Sequence, residues 1–189
     1  MKTRTLVLCS TLILASGVGS QAIAEGPGGI ALPSGHFSFT AQGTEANCAA
    51  GPCVTLNIIE AGNMVRDSAG NACGSHTAVV TTIPATAAPP IVVPSVVTVL
   101  KLLNYDSATG TGDAALSEYS GGSCNGAVFN GSGAIQVVSG TLHFTVSNGE
   151  NGNGGDRIDS IITALEIQGT PVPNFSIIFT ERQQKSRGK

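Results

Sequence analysis

The chain has 189 residues, of which only 11% are charged, whereas about 25% is usual for a soluble domain. Residues 25–181 carry twelve carboxylates against three basic side chains, a net charge of −9. Such a body repels a phosphate backbone, so nucleic acid is not expected as a partner. The length that remains after residue 24 fits one domain with its own hydrophobic core.

The N-terminal residues have the pattern of a secretory signal peptide. Lys2 and Arg4 precede an apolar run, and the Ala-Ile-Ala sequence that ends at Ala24 is an A-x-A cleavage signal. We therefore predict that residues 1–24 are removed by cleavage after Ala24 and that the protein is secreted or periplasmic. No later apolar run reaches the roughly 20 residues of a membrane span, so none is predicted in the mature chain.

Apolar and polar residues alternate through most of the remaining sequence, which is typical of half-buried strands. In chain order, the clearest segments are GHFSFT, VTLNII, TLHFTVS and NFSIIFT. Further candidates are HTAVVTT, DAALSEYS, GAVFN with GAIQVV, and RIDSIITALEI. The last of these also fits a helical stripe, but its β-branched content favours a strand. We predict an all-β fold, with a single antiparallel β-barrel of about eight strands over residues 25–181 as first choice and a β-sandwich as second.

Three segments are interpreted as breaks between or beyond these strands. Gly62 and Asn63 lie between two apolar runs and favour a two-residue hairpin turn. Residues 84–94 are rich in proline, which cannot donate to a strand ladder, so an extended loop or a sheet edge is predicted there. Residues 182–189 contain four basic side chains and are predicted to be a disordered tail.

Four cysteines follow the predicted cleavage site, an even number that predicts two disulfides in an oxidising compartment. Three pairings are possible. We favour Cys48 with Cys53, which closes the turn CAAGPC, and Cys73 with Cys124. In the chain-entropy model the short loop contributes about 2 kcal/mol and the long loop about 4 kcal/mol. A zinc site is the alternative, but the CxxC pairs that structural zinc prefers are absent.

Several segments of the chain together resemble small secreted bacterial proteins of unknown function whose barrel is similar to that of allene oxide cyclase. The resemblance covers most of residues 34–183 and is carried by LPSGHFSFTAQGT, VTLNIIEAGNMV, GGSCNGAVFNGSG, TLHFTVSNGENGNGGDRIDSIITAL and NFSIIFTERQ. It implies a small antiparallel barrel and no established activity. Residues between Arg66 and Tyr119 do not align with the pattern. No catalytic residue is carried over from the plant cyclases, because none of their site positions can be located here.

Two acidic, glycine-rich loops raise the question of calcium. The first, NGNGGDRI, is close to the nonapeptide of calcium-binding β-helices, but a single copy supplies only a few of the six to eight oxygens that calcium needs. A hairpin explains all its residues, although Asp156 with carbonyl oxygens could hold a weakly bound ion. The second loop, YDSATGTGDAA, contains Asp106 and Asp113 and is likewise interpreted as a turn.

No sequence motif predicts catalysis or a cofactor. GxSxG, GxGxxG, GxxxxGK[ST] and HExxH are all absent, so we predict no catalytic residue, no metal and no cofactor. His36, His76 and His143 are interpreted as surface or hydrogen-bonded core residues. Asp156 and Asp159 form a carboxylate pair that is expected to keep its loop in water.

Arg66 and Arg157 are two of the three basic residues in the body of the protein. We interpret them as strand-end ion pairs with the adjacent Asp67 and Asp156, of little energetic weight. As a sharper alternative, Arg66, Arg157 and Asp156 are candidate ligand-binding residues, because arginine offers a bidentate fork to a carboxylate.

Three functions from different classes fit these features. The first is a non-enzymatic barrel that binds a small apolar molecule or a protein partner. The second is a template-type cyclase or isomerase acting on a small apolar substrate. Catalysis in such an enzyme depends on the shape of the pocket and on a few polar groups. The third is a surface-assembly or structural subunit that adds strands at an exposed sheet edge. We favour the first, so enzymatic activity is not expected.

Overall fold

A computed structural model describes residues 29–47, 54–83, 89–147 and 156–184. These residues form strands and no helix. The strands are β1 (Gly35–Asn47), β2 (Val54–Arg66), β3 (Ala72–Ile83), β4 (Ile91–Asp106), β5 (Thr111–Ser120), β6 (Ser123–Asn125), β7 (Val128–Asn130), β8 (Ile135–Ser147), β9 (Arg157–Ile167), β10 (Thr170–Pro171) and β11 (Phe175–Gln183).

Eight long strands close into an antiparallel barrel. Their order is β9, β11, β1, β2, β3, β4, β5 and β8, and pairing of β8 with β9 completes the circle. Each long strand pairs with the next long strand in the chain, so the topology is an up-and-down meander. The short β6–β7 hairpin is inserted between β5 and β8, and β10 pairs with the end of β9. The prediction of an all-β barrel is confirmed, in preference to the sandwich.

The predicted alternation sets the inner and outer faces of the barrel wall. Phe37, Phe39, Phe144 and Phe179 are buried in the core, and Phe175 packs at its margin. Phe39 and Phe179 stack with ring centroids 4.7 Å apart. The segment RIDSIITALEI forms β9, as its β-branched residues predicted. The packed interior therefore follows from the period-two pattern of the sequence.

The turn predicted at Gly62 and Asn63 is wrong, because β2 continues through both residues without a break. Gly62 pairs with His76 of β3. A β-carbon at Gly62 would collide with the carbonyl oxygen of Ser75 and with the His76 side chain. The glycine is needed for close approach of two strands, which the sequence alone does not distinguish from a turn.

Pro94 lies inside β4, so the prediction of a loop or sheet edge is wrong for residues 91–94. Ala78 pairs with Val93 and His76 with Val96. Two residues of β4, Pro94 and Ser95, therefore stand opposite one residue of β3. This is a β-bulge, in which proline does not have to donate to the ladder. Residues 84–88 lie outside the described residues.

A disulfide joins Cys73 of β3 to Cys124 of β6, with Cα atoms 5.6 Å apart. It fixes the β6–β7 hairpin against the barrel, where Phe129 stacks on Tyr119 at 4.3 Å between centroids. This half of the predicted cysteine pairing is confirmed. Cys48 and Cys53, like residues 1–24, lie outside the described residues.

The last strand of the barrel extends past the predicted C-terminal boundary of the domain. β11 continues through Arg182 and Gln183, two residues into the segment predicted as tail, while residues 185–189 are not described. The described part of the chain contains no helical segment with the length and hydropathy that a bilayer crossing requires.

Candidate functional site

Among the described residues, four ionisable side chains lie inside the barrel, in the half where β1 ends and β2 begins. They are Glu45, Glu60, His76 and Glu118, from four different strands. Each occupies an inward position of its strand: Glu60 follows buried Ile58, and Glu118 follows buried Leu116, at a spacing of two. The geometry of the wall therefore directs these groups to the interior, where charged side chains are rare unless they are paired or bind a ligand.

Three of these residues form a compact group, here called the acid–histidine cluster: Glu60, His76 and Glu118. His76 Nε2 lies 3.7 Å from Glu60 Oε2 and 4.0 Å from Glu118 Oε1. One ligand atom from each residue lies within 4.8 Å of the others. These separations exceed hydrogen-bond length. The three groups face one another without direct hydrogen bonds between the imidazole and the carboxyls.

His76 is held firmly on one side and left without a partner on the other. Its Nδ1 is 2.9 Å from the hydroxyl of buried Thr98, and the Phe39 ring packs edge-on with centroids 5.6 Å apart. The side chain is 0% exposed, and Nε2 has no hydrogen-bond partner. A buried polar atom without a partner lowers the stability of the folded protein by about 1–3 kcal/mol. Stability therefore does not explain why a histidine occupies this position.

β-Bulges flank two members of the cluster. The bulge at Pro94 and Ser95 lies directly beside His76, and Ser95 has a φ of 59°, a left-handed conformation that is uncommon outside glycine. A second register shift follows Glu118, which pairs with Val138 while Tyr119 pairs with Gln136. Bulges re-aim neighbouring side chains and often lie next to functional sites.

Burial and mutual repulsion set the protonation of the cluster. Burial, together with the charge of Glu45, raises the pKa of Glu60 to about 7. Burial, followed by repulsion from Glu60 and Glu45, raises the pKa of Glu118 to about 8. Burial lowers the pKa of His76 to about 4, so the imidazole is neutral at neutral pH. The contacts of His76 with the two glutamates are therefore not ion pairs in the ligand-free protein.

An inner cavity of about 50 Å³ opens beside the cluster. Glu45, Glu60 and Glu118 supply its polar groups, and aliphatic residues such as Leu116, Leu142 and Leu165 form most of its wall. His76 is not part of this lining and lies behind the two glutamates. Glu45 also borders an open depression of about 430 Å³, here called the rim depression, with Thr44, Thr55 and residues 173–176.

Comparison with known proteins offers no relative from which a function could be transferred. No family model matches this sequence, and neither a curated protein nor a solved structure matches it. The resemblance to allene oxide cyclase-like barrels stays a prediction. The inward-facing residues themselves are the guide to function.

Arg66, one of the predicted ligand-binding candidates, is used inside the protein. Its Nη2 donates to both carboxylate oxygens of Glu181, at 2.6 and 2.8 Å, and Nη1 donates to the Gly70 carbonyl at 2.8 Å. The expected pairing with Asp67 is wrong, since Asp67 accepts hydrogen bonds from Asn71. Burial raises the pKa of Glu181, whereas the charge and hydrogen bonds of Arg66 act in the opposite direction.

This buried pair lies away from the acid–histidine cluster. Arg66 is the last residue of β2, six positions beyond Glu60, and its side chain is 3% exposed. A ligand carboxylate would have to displace Glu181 to reach the guanidinium. The structure therefore gives Arg66 an internal partner and does not bring it to the inner cavity.

Arg157 is the exposed first residue of β9, and the partly buried Asp156 directly precedes it. Arg157 Nε donates a hydrogen bond to Asp159 at 2.9 Å. Ser147 at the end of β8 pairs with Arg157, which confirms the hairpin interpretation of this loop. Residues 148–155, where the calcium hypothesis placed most of its ligands, lie outside the described residues.

The remaining predictions concern the loop at Asp106 and the three histidines. Asp106 accepts hydrogen bonds from the Ala108 amide and the Thr109 hydroxyl, which confirms a turn between β4 and β5. His36 is exposed, and His143 is a surface residue bound to Asp113 at 2.8 Å. His76 is the exception, because it is buried and its Nε2 is not hydrogen-bonded. The sequence prediction therefore missed it as a site residue.

Proposed function

We propose that this protein is a secreted or periplasmic, non-enzymatic binding barrel that holds a small ligand at its acidic end. The observation that supports this most is the convergence of Glu45 and Glu118 with Glu60 on an otherwise aliphatic cavity inside the barrel. Closed barrels of eight strands either fill their interior with side chains or hold one small ligand. Here Phe37 and Phe39 are buried in the core, whereas the acidic end has a small cavity beside Glu45, Glu60 and Glu118.

The size of the cavity limits what can enter it. Ligand pockets are usually about 300–1,000 Å³, and the inner cavity, at about 50 Å³, takes only a small group. The rim depression, at about 430 Å³, is within the usual range. The rim depression is lined mainly by hydroxyl, amide and carboxyl side chains, whereas the inner cavity is mainly apolar. A ligand with a polar body at the rim, a cationic or hydrogen-donating group directed to Glu45, and a small apolar end in the inner cavity matches both spaces.

The barrel topology weighs against the assembly alternative. All eight long strands are paired on both sides, so the described barrel offers no long free edge to which another chain could add a strand. A cyclase or isomerase is the second candidate. The pKa values of Glu60 and Glu118, about 7 and 8, suit proton transfer near neutral pH.

Native mass spectrometry of the protein as it is exported, purified from its source without denaturation, tests the proposal. We expect a retained small molecule at one per chain that is lost on unfolding. A Val138→Phe variant should abolish retention, because Val138 lines the inner cavity beside Glu118. An Ile178→Phe variant, on the outer face of β11, should retain the ligand.

The same samples separate binding from catalysis. The retained molecule, once identified, is incubated with fresh protein and its structure is followed over time. An unchanged molecule supports a binding role, whereas conversion that Glu118→Gln abolishes would show an isomerase. A ligand-free mass for the wild-type protein in all preparations would overturn the binding proposal and favour a scaffold.

A further inference from the structure

We infer that Glu60, His76 and Glu118 bind one divalent transition-metal ion, with Zn²⁺ as the ion that the donor set fits best. This inference concerns the acidic end of the barrel and rests on the proposed binding function, which it deepens by naming a class of ligand. The ion would lie behind the inner cavity, between the imidazole and the two carboxylates.

A group of acidic residues is not by itself a metal site, and the independent observation is the orientation of His76. Its Nε2 is buried, has no hydrogen-bond partner, and is directed toward both glutamates. In a site built only for structural hydrogen bonding, a carboxyl would approach this nitrogen to about 3 Å. In the structure, His76 Nε2 is instead separated from both carboxylate oxygens by a gap that is wide enough for an ion.

The distances support this reading. Zinc binds imidazole nitrogen at about 2.0–2.1 Å and carboxylate oxygen at about 2.0–2.2 Å, so neighbouring ligands of a tetrahedral ion lie about 3.4 Å apart. The two nitrogen–oxygen separations here are 3.7 and 4.0 Å. To complete the site, the nitrogen–oxygen separations contract by about 0.3–0.6 Å, and the two carboxylate oxygens, which lie within 4.8 Å of each other, approach by up to about 1.4 Å. Rotation of the glutamate side chains supplies both movements.

Thr98 prepares the imidazole for a metal. When Nδ1–H donates to the Thr98 hydroxyl, at 2.9 Å, the lone pair of the neutral ring is on Nε2, which faces the glutamates. Metal-binding histidines generally use the other ring nitrogen for such a hydrogen bond, which fixes the tautomer and the ring orientation. The Thr98 hydroxyl contacts Nδ1 and not the nitrogen that faces the glutamates, so Thr98 is a positioning residue and not a metal ligand.

Charge and coordination number complete the case for a transition metal. Two carboxylates balance one dication, which removes the repulsion between buried acids. Calcium and magnesium prefer six or more oxygen ligands and octahedral or larger shells, whereas one nitrogen and two oxygens suit zinc and its neighbours. A three-residue set leaves a fourth position open toward the inner cavity, where Glu45, water or an organic ligand could bind.

Isothermal titration calorimetry of the full-length, EDTA-dialysed protein with ZnCl₂ at pH 7.5 tests the inference, with native mass spectrometry for stoichiometry. We expect one Zn²⁺ per wild-type chain, and affinity reduced by at least about 100-fold in Glu118→Gln, which removes a ligand but keeps the shape of the side chain. Thr98→Val should weaken binding by about 10–100-fold, as the loss of a hydrogen-bond partner of a metal-binding histidine generally does.

His143→Ala is the matched control, because His143 with Asp113 is an exposed histidine–carboxylate pair. It should leave the affinity unchanged. Absence of stoichiometric zinc in the wild type, or loss of zinc in His143→Ala with retention in Glu118→Gln, would overturn the inference. If zinc fails to bind while a small molecule is retained and is lost in Val138→Phe, only the metal inference fails. If both fail, the proposed function fails too.

Discussion

Replacing Glu118 with glutamine tests the electrostatics of the cluster without any ligand. The pKa values of Glu60 and Glu118 rise from an ordinary 4.5 to about 7 and about 8. The folded protein therefore keeps protons that the unfolded chain has released. This contribution to stability is fully present below pH 4.5 and is lost as the pH rises through 7 and 8. His76, with its pKa lowered from 6.5 to about 4, acts in the opposite direction but mainly below pH 6.5.

The magnitude follows from the linkage relation. Between pH 6.5 and 8, deprotonation of Glu60 and Glu118 lowers the free energy of unfolding by about 2 kcal/mol, after the smaller opposing effect of His76 is subtracted. For a chain of this size that lowers the melting temperature by roughly 4–8 °C. Glu118 accounts for most of the change, so in Glu118→Gln we expect less than half of it to remain.

Thermal unfolding followed by circular dichroism, in buffers with EDTA at both pH values, measures these differences. Glu166→Gln, on the exposed outer face of β9, is the matched control and should show the full wild-type decrease. Equal melting temperatures of the wild type at the two pH values, or an undiminished decrease in Glu118→Gln, would show that Glu118 does not hold a proton in the folded protein near neutral pH.

Three further substitutions test the framework around the site. Arg66→Met should lower the free energy of unfolding by about 3–5 kcal/mol, because it leaves buried Glu181 without its partner. Equilibrium urea unfolding measures this, and a loss below 1 kcal/mol would argue against a desolvated pair. Cys124→Ser should cost about 4 kcal/mol by the chain-entropy model, since the disulfide closes a separation of 51 residues. Reduction of the wild type should cost at least as much, because it also opens the predicted Cys48–Cys53 disulfide. Gly62→Ala should destabilise the barrel by about 1–3 kcal/mol through overpacking, because the added methyl group collides with His76. An unchanged melting temperature would contradict that close approach.

The fold was largely predictable because its determinants are local. A period of two in the apolar residues assigns each strand its inner face, and RIDSIITALEI became β9 as its β-branched residues indicated. The failures came where a residue serves a contact distant in sequence. Gly62 resembles a turn residue until the partner strand shows His76 opposite it, and Pro94 resembles a strand end until the bulge is seen.

The acid–histidine cluster could have been suspected but not assembled from the sequence. Continuing the series from Ile58 by two places puts Glu60 on the apolar face, and continuing from Leu116 does the same for Glu118. A carboxylate in such a position is the available signal. Their meeting with His76 depends on strand register and closure, since β2 and β5 are separated in the barrel by two other strands. No local pattern encodes that proximity.

Anomalous X-ray diffraction at the zinc absorption edge, from crystals of the full-length protein grown with one equivalent of Zn²⁺, shows whether the acid–histidine cluster binds a metal ion. We predict a single strong peak inside the barrel, at coordination distance from His76 Nε2 and from a carboxylate oxygen of each of Glu60 and Glu118. No peak within the barrel, or one confined to the surface pair of His143 and Asp113, would contradict it.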